Sequence, residues 1–171
     1  RQRINGHIDN SGAIDGKTAL LRFVSGGLQE KIMAVITKKI KLSTKGDTDI
    51  INITAQTASI LLNAGLKNGS VTIFVPGSTG GIATVEYEPG LVEALKAFFE
   101  KIAPKSGVYQ HNIRWQDGNG YSHVRASLLG PGITVPFIDN KMQLGKWQQI
   151  IFIDFDNRPR DREIIIQIIG E

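Results

Sequence analysis

The chain has 171 residues, a length that suits one domain with a single sizeable core. Hydrophobic residues make up 41% and charged residues 21%, which indicates a globular protein and excludes a disordered one. The net charge of +4 fits small anionic ligands, whereas nucleic acid usually requires a clustered basic stripe. The absence of cysteine excludes disulfides, thiolate catalysis and cysteine-bound metal sites.

The sequence carries no targeting signal. No apolar run approaches the roughly 20 residues of a membrane-spanning helix, and the N-terminus lacks a signal-peptide pattern. We therefore expect a cytoplasmic protein that binds neither membrane nor nucleic acid. Residues 1–32 show little periodicity, and Met33 opens a clearly patterned segment. We interpret residues 1–32 as a poorly ordered upstream leader and residues 33–171 as the single domain.

The patterned part of the chain starts with one strand and one helix. Apolar and polar residues alternate over residues 34–42, which predicts a half-buried strand. Thr54 is placed to N-cap a helix over residues 55–64, and Gly65 is placed to end it.

Two short runs rich in β-forming residues follow, and we predict strands over residues 70–76 and 82–86. Pro89 then begins an amphipathic helix that Pro104 ends. Its apolar residues recur at helical spacing, which predicts a core-facing stripe. The stripe consists of Leu91, Leu95, Phe98, Phe99 and Ile102.

The C-terminal third is rich in β-forming residues. We predict strands over residues 121–129, 133–138, 147–155 and 163–169. Residues 150–153 are apolar on both sides, so the sheet must be covered on both faces. Six or seven strands and two main helices, not alternating regularly, predict an α+β fold with a largely antiparallel or mixed sheet.

Basic residues cluster at two places along the predicted strands. The two clusters are Lys38, Lys39 and Lys41, and Arg158, Arg160 and Arg162. Charge on an exposed edge blocks unwanted strand pairing, so we interpret both clusters as solvated strand edges.

The most informative segment is residues 117–132, in which a turn-forming run leads into alternating polar and apolar residues. If residues 121–128 form a strand, its period of two places four polar side chains on one face. These are Tyr121, His123, Arg125 and Ser127. A face with imidazole, guanidinium and hydroxyl groups suits an anionic ligand or a metal.

Two histidines of this region are candidates for a site. His111 and His123 lie in segments rich in Asp, Asn and Gly, although a loop histidine is often merely structural or solvated. Two imidazoles, one carboxylate and an open position can hold a catalytic divalent ion, Mg or Zn. Glu86, Glu88 and Asp117 offer the carboxylate, and Glu86 is our working assignment as the third ligand.

A second candidate is the glycine-rich loop of residues 76–81, directly after a predicted strand. Successive N–H groups in such a loop can form an anion-binding nest. Alternatively it is a plain turn whose glycines supply positive φ. In the first interpretation, Arg125 is the fork-shaped phosphate partner. The binding residues would be Gly77, Ser78, Thr79, Gly80, Gly81 and Ser127.

These motifs resemble the YjbQ-like family, whose members are often described as secondary thiamine-phosphate synthases. The resemblance covers about residues 33–171. It rests on ordered blocks at residues 75–82, 88–90, 123–131, 144–150 and 163–171. Many relatives carry His where this chain has Gly77, so two of three family histidines remain.

The resemblance implies a β-sandwich-like α+β fold that assembles as a homotrimer with pockets near subunit contacts. It also implies a transferase that joins a pyrimidine diphosphate to a thiazole phosphate at a low rate and releases pyrophosphate. Arg125 and the glycine loop would hold phosphate, while His111 and His123, with a divalent ion, would assist the departing group. The alternative is a non-catalytic trimer that binds a phosphorylated metabolite.

Overall fold

In the computed structural model, residues 19–23 and 31–171 are described, and their side chains from Met33 onward. Within these residues the chain forms nine strands and four helices. The strands are β1 (Ala19–Phe23), β2 (Lys31–Thr44), β3 (Asp49–Asn52), β4 (Gly69–Phe74), β5 (Gly80–Val85), β6 (Gly132–Ile138), β7 (Lys141–Met142), β8 (Gln149–Asp154) and β9 (Arg160–Gly170). The helices are α1 (Thr54–Ala64), α2 (Pro89–Ile102), α3 (Gln110–Trp115) and α4 (Gly120–Leu129).

The strands form two sheets in which every pairing is antiparallel. The six-stranded sheet has the order β1-β2-β9-β4-β6-β7, and the three-stranded sheet has the order β3-β8-β5. The predicted α+β class and antiparallel pairing are confirmed, with more strands and helices than expected. The proposed leader lies outside the described residues except for β1 and the start of β2.

Strand β8 lies in the middle of the molecule. Ile150 and Phe152 point into the apolar core shared with the six-stranded sheet, while Ile151 and Ile153 pack in a second cluster with Phe99 and residues of α4. All four are at most 1% exposed, which confirms that this strand is covered on both faces.

The segment predicted as a strand over residues 121–129 is helix α4, so that prediction is wrong. Its buried residues are Tyr121, Ser122, Arg125 and Ala126, which repeat at helical spacing. A helix buries one stripe of residues along its length, so the alternation of polar and apolar residues in this segment was coincidental. His123 and Arg125 therefore do not share a face.

The two predicted helices form, with differences at their edges. Gly65 ends α1 in the left-handed conformation (φ 70°), as predicted. Thr54 is not the N-cap, because Ile53 occupies that position and the Thr54 hydroxyl accepts the Ile150 N–H at 2.8 Å.

Helix α2 departs from the predicted core-facing stripe. Phe99 is buried, but Phe98 is 54% exposed and Ile102 is 43% exposed, so the stripe is only partly covered in this chain. Among the described residues, no helix is long and apolar enough to cross a membrane.

Candidate functional site

The two histidines lie side by side where α3 and α4 meet. The ring centroids of His111 and His123 are 4.4 Å apart. The reversal between the helices uses left-handed backbone at Gln116 (φ 56°) and Gly118 (φ 68°). The Asn112 side-chain oxygen accepts the first N–H of α4, from Gly120, at 2.7 Å, which fixes the two helices to each other.

Asp117 and Asn119 complete this group, which we term the histidine cluster (His111, Asp117, Asn119 and His123). His111 Nε2 lies 3.2 Å from Asp117 Oδ2. With its amide nitrogen turned inward, Asn119 donates to Asp117 Oδ1 at 3.1 Å and also lies 3.2 Å from His111 Nε2. Although desolvation works to raise the pKa of Asp117, hydrogen bonds from His111 and from the Asn119 backbone lower it, which keeps the carboxylate charged.

The glycine-rich loop separates into a packed half and an open half. A Cβ at Gly80 would lie 2.7 Å from the Phe152 ring, and one at Gly81 would lie 2.7 Å from Leu129 Cδ2. Both glycines start β5 and serve close packing. No glycine of residues 77–81 has positive φ, so neither a left-handed nest nor a positive-φ turn describes this part of the chain.

The open half consists of residues 76–79, which we term the Gly77 loop. Pro76, Gly77 and Ser78 are exposed, and Thr79 is buried. A Cβ at Gly77 would meet only Arg162 Nη1, at 3.6 Å. This loop therefore has room beside a guanidinium group.

A chain of hydrogen bonds connects the Gly77 loop to the histidine cluster. Thr79 Oγ1 donates to Asp156 Oδ2 at 3.2 Å, and the Thr79 carbonyl accepts the Phe155 N–H at 2.9 Å. Asn157, which follows Asp156 in the chain, donates from Nδ2 to the Asp117 carbonyl at 2.8 Å. The two candidate regions are thus fixed to the same β8–β9 connection.

Arg125 does not reach this region in a form that could bind phosphate. Arg125 is 1% exposed. Its Nε and Nη2 donate to the Ala103 carbonyl at 2.9 and 2.7 Å, Nη1 donates to Thr48 Oγ1 at 2.9 Å, and Nη2 donates to Glu100 at 2.6 Å. Its ring contact is with Tyr121, 4.8 Å from guanidinium carbon to centroid. The guanidinium holds the end of α2, the residue 48 turn and α4 together.

A cleft of about 780 Å³ lies over Arg125, between residues 45–49 and 93–105. Its four cationic side chains are matched by four carboxylates, and three ion pairs join Lys105 to Asp47, Lys96 to Glu93 and Arg125 to Glu100. The paired arrangement offers little net attraction to a phosphate group.

The sequence interpretation missed a buried charged group at one end of strands β8 and β9, which we term the sheet clamp. Asp154 is 0% exposed and accepts from Thr44 Oγ1 at 2.6 Å and from Arg162 Nε and Nη2 at 2.8 and 2.7 Å. Asp156 is 1% exposed and accepts from Arg160 Nε at 2.8 Å. Arg160 and Arg162 are therefore not solvated edge charges, and that interpretation is corrected.

The alternation of side chains between the two faces of a strand is a sequence signal that could have found this clamp. Arg162 falls on the face of β9 that carries Ile164, Ile166 and Ile168, all 0% exposed. Asp154 falls on the face of β8 that carries Phe152. A carboxylate that continues a buried row requires a charged partner, because an unpaired buried charge is costly.

The remaining predicted residues lie apart. Ser127 is exposed on α4. Glu86 follows Val85, which pairs with Gln149 at the end of β5 opposite to Gly80. The structure does not bring Glu86 to the histidines, and the described residues contain no group of three or more His, Asp or Glu side chains placed to hold a metal ion.

Comparison with known proteins places the chain in a family. The family described as "UPF0047 protein YjbQ-like" matches residues 38–171. The chain belongs to the UPF0047 YjbQ-like family. A UPF0047 protein of Methanothermobacter thermautotrophicus is 36% identical over 139 residues, covering 81% of this chain and 95% of the relative. YugU, a UPF0047 protein of Bacillus subtilis, is 28% identical over 135 residues, covering 78% and 98%.

Solved structures of this family share the fold. A YbjQ-like protein of unknown function from Sulfolobus solfataricus P2 has a TM-score of 0.78 and 32% identity, covering 81% of this chain and 99% of its own. A YjbQ/UPF0047 family protein from Clostridium acetobutylicum has a TM-score of 0.71 and 31% identity, covering 77% and 98%.

Proposed function

We propose that this UPF0047 YjbQ-like protein binds a phosphorylated small molecule between the histidine cluster and the Gly77 loop and makes thiamine phosphate at a low rate. In this reaction the thiazole nitrogen attacks the methylene carbon of the pyrimidine diphosphate. The carbon–oxygen bond to the diphosphate breaks, and pyrophosphate leaves with the bonding electron pair. The site must therefore stabilise negative charge on the leaving group.

The observation that carries the proposal is the pairing of His111 and His123, with ring centroids 4.4 Å apart. Imidazole N–H groups can donate to the oxygens of a departing diphosphate. Asp117 Oδ2 lies 3.2 Å from His111 Nε2, and this contact orients the ring. Both rings are half-buried, so a ligand can reach them while part of the solvent is displaced.

The divalent ion enters this proposal as magnesium carried by the diphosphate. Two imidazoles without a third protein ligand do not complete a zinc site, because such sites use three or four protein ligands. Magnesium is ordinarily held by substrate phosphates and few protein groups, so it needs no such set.

The test is synthesis of thiamine phosphate from both substrates with magnesium. Substitution of His123 by Asn should lower the rate at least about tenfold, because general acid–base groups contribute that much or more. Substitution of exposed Gln110, next to His111 on α3, by Ala is the control and should leave the rate unchanged. Absence of product above background with the unmodified protein rejects the synthase proposal.

A non-catalytic role is the second candidate, favoured by Gly77 in the place of a family histidine and by the internal hydrogen bonds of Arg125. This role predicts affinity without turnover. Calorimetry with thiamine phosphate and pyrophosphate should then show binding although no reaction occurs, and absence of binding to both ligands contradicts it.

Either role is proposed for a homotrimer. Large apolar side chains of α2, α3 and α4 are 40–63% exposed: Phe98, Ile102, Ile113, Trp115, Val124 and Leu128. Exposed apolar groups gathered on neighbouring helices favour an interface with further copies of the chain. Light scattering after size exclusion should give three times the chain mass of 18.7 kDa, and a monomer mass contradicts the trimer.

A further inference from the structure

Arg162 is fixed in one orientation by the sheet clamp. Its Nε and Nη2 bind both oxygens of Asp154 at 2.8 and 2.7 Å, and Nη2 also donates to Thr79 Oγ1 at 2.8 Å. Such a two-point contact with a carboxylate sets the plane of the guanidinium. The bonds of Nε and Nη2 therefore also fix the position of the third nitrogen, Nη1.

Nη1 of Arg162 faces the open side of the Gly77 loop. It makes no hydrogen bond to a residue that the structure describes. The nearest point on the loop is the position of a Cβ at Gly77, 3.6 Å away, where no other atom comes within 4 Å. The Arg162 side chain retains 14% exposure, and its Nη1 carries two N–H donors.

We propose that Arg162 Nη1 and the open backbone at Gly77 form an oxyanion subsite that binds a phosphate or diphosphate group. This inference rests on the proposed function and replaces Arg125 as the phosphate partner expected from the sequence. Glycine at residue 77 provides the space, and the clamp provides a guanidinium that needs no reorganisation on binding.

The two carboxylates behind the subsite are each paired with an arginine. Asp154 and Asp156 lie on the Nε and Nη2 side of Arg162 and are balanced by Arg162 and Arg160. An anion at Gly77 approaches Nη1 from the opposite side and meets donors directly. The bound group would then lie at the loop that Asp156 and Asn157 connect to Asp117 of the histidine cluster.

The experiment is calorimetric titration of the full chain with pyrophosphate and with orthophosphate. Substitution of Gly77 by Asp places a carboxylate beside Nη1 and should weaken pyrophosphate binding about tenfold to a hundredfold, as expected for loss of a charge-assisted hydrogen bond. Gly77→Ala takes up part of the same space without adding charge, so it should weaken pyrophosphate binding less than Gly77→Asp does.

Arg158→Gln controls for net charge. Arg158 is exposed on the β8–β9 connection, and its substitution changes the charge by the same amount as Gly77→Asp. Arg162→Lys keeps a cation but loses the fork, and should also weaken pyrophosphate binding at least about tenfold. If Arg162→Lys does not fold, the affinities of Gly77→Asp and Gly77→Ala still test the subsite, because Gly77 is on the surface.

The outcomes separate this inference from the synthase proposal. Pyrophosphate binding that Gly77→Asp leaves unchanged, or that Arg158→Gln weakens equally, overturns the subsite. Binding that Gly77→Asp and Arg162→Lys weaken and Arg158→Gln leaves unchanged supports the subsite even when no thiamine phosphate is made. If the unmodified protein binds neither anion, the subsite and the proposed function are both rejected.

Discussion

Arg125 and Arg162 both have most of their side chains buried, but their surroundings differ. Arg125 lies beneath α2, and each of its guanidinium nitrogens donates to a group of the fold, including the Ala103 carbonyl. Arg162 gives two nitrogens to the clamp and leaves Nη1 open beside Gly77. The comparison teaches that an arginine's binding capacity depends on which donors remain after folding, and burial alone does not reveal it.

The largest effect is expected at the clamp. Asp154→Asn removes the buried charge that pairs with Arg162 and should cost about 3–5 kcal/mol of unfolding free energy. Urea denaturation measures this loss. Asp161→Asn is the matched control on β9, where the exposed Asp161 carboxylate accepts from Ser43 Oγ at 2.8 Å, and should cost less than about 1 kcal/mol. Equal costs for the two variants would show that the clamp is not a buried ion pair.

Arg125→Ala should destabilise the protein by about 3 kcal/mol, because it leaves the Ala103 carbonyl without its buried donor and opens a cavity. Pyrophosphate affinity should nevertheless stay within about threefold of the unmodified protein at a temperature where the variant is folded. Arg114→Ala, on the exposed side of α3, is the control for stability. A loss of pyrophosphate affinity in Arg125→Ala but not in Arg114→Ala would mean that Arg125 contributes to anion binding.

The clamp should also make stability depend on pH. Burial works to raise the pKa of Asp154, but hydrogen bonds from Arg162 and Thr44 outweigh it and hold the pKa below the ordinary 3.8. A depressed folded-state pKa gives stability that is present above pH 3.8 and lost as the pH falls through the folded value. Urea midpoints measured from pH 6 to about pH 2 should fall steeply below about pH 4. The fall should be shallower in Asp154→Asn, and identical slopes would contradict this assignment.

The smallest expected effect is the difference in stability between substitutions of two glycines in the same segment. Gly80→Ala would place a Cβ 2.7 Å from the Phe152 ring and should cost about 1–3 kcal/mol by overpacking. Gly77→Ala should change the unfolding free energy by less than about 0.5 kcal/mol, because the added carbon meets open space. Thermal melts of the two variants make the comparison, and equal melting temperatures would mean that the segment is not divided in this way.

Local signals predicted much of the fold correctly. Strands β2, β4, β5, β6, β8 and β9 lie where alternating or apolar runs indicated them, and Gly65 ends α1 as expected. The failure at α4 came from a short segment whose residues fit both periods. Residues 121–129 pass as an alternating strand, yet burial selects Tyr121, Arg125 and Ala126 on one helical face.

The candidate site was predictable in part. The structure places the rings of His111 and His123 4.4 Å apart, on helices α3 and α4, and their shared role in a site stays a prediction. The expectation for Arg125 depended on the strand assignment and failed with it. The role of Arg162 was missed because it was grouped with neighbouring arginines, although its spacing from Ile164 already placed it on the buried face.

The amino-acid sequence alone indicated the α+β class and most of the strand positions, because these depend on short-range periodicity and turn chemistry. Tertiary structure alone decided which guanidinium donors remain open. The partners of Arg125 come from Thr48, Glu100 and Ala103, and those of Arg162 come from Asp154 and Thr79. Such long-range pairings arise only when the sheets and helices pack, because donors and acceptors far apart in the chain must then satisfy each other.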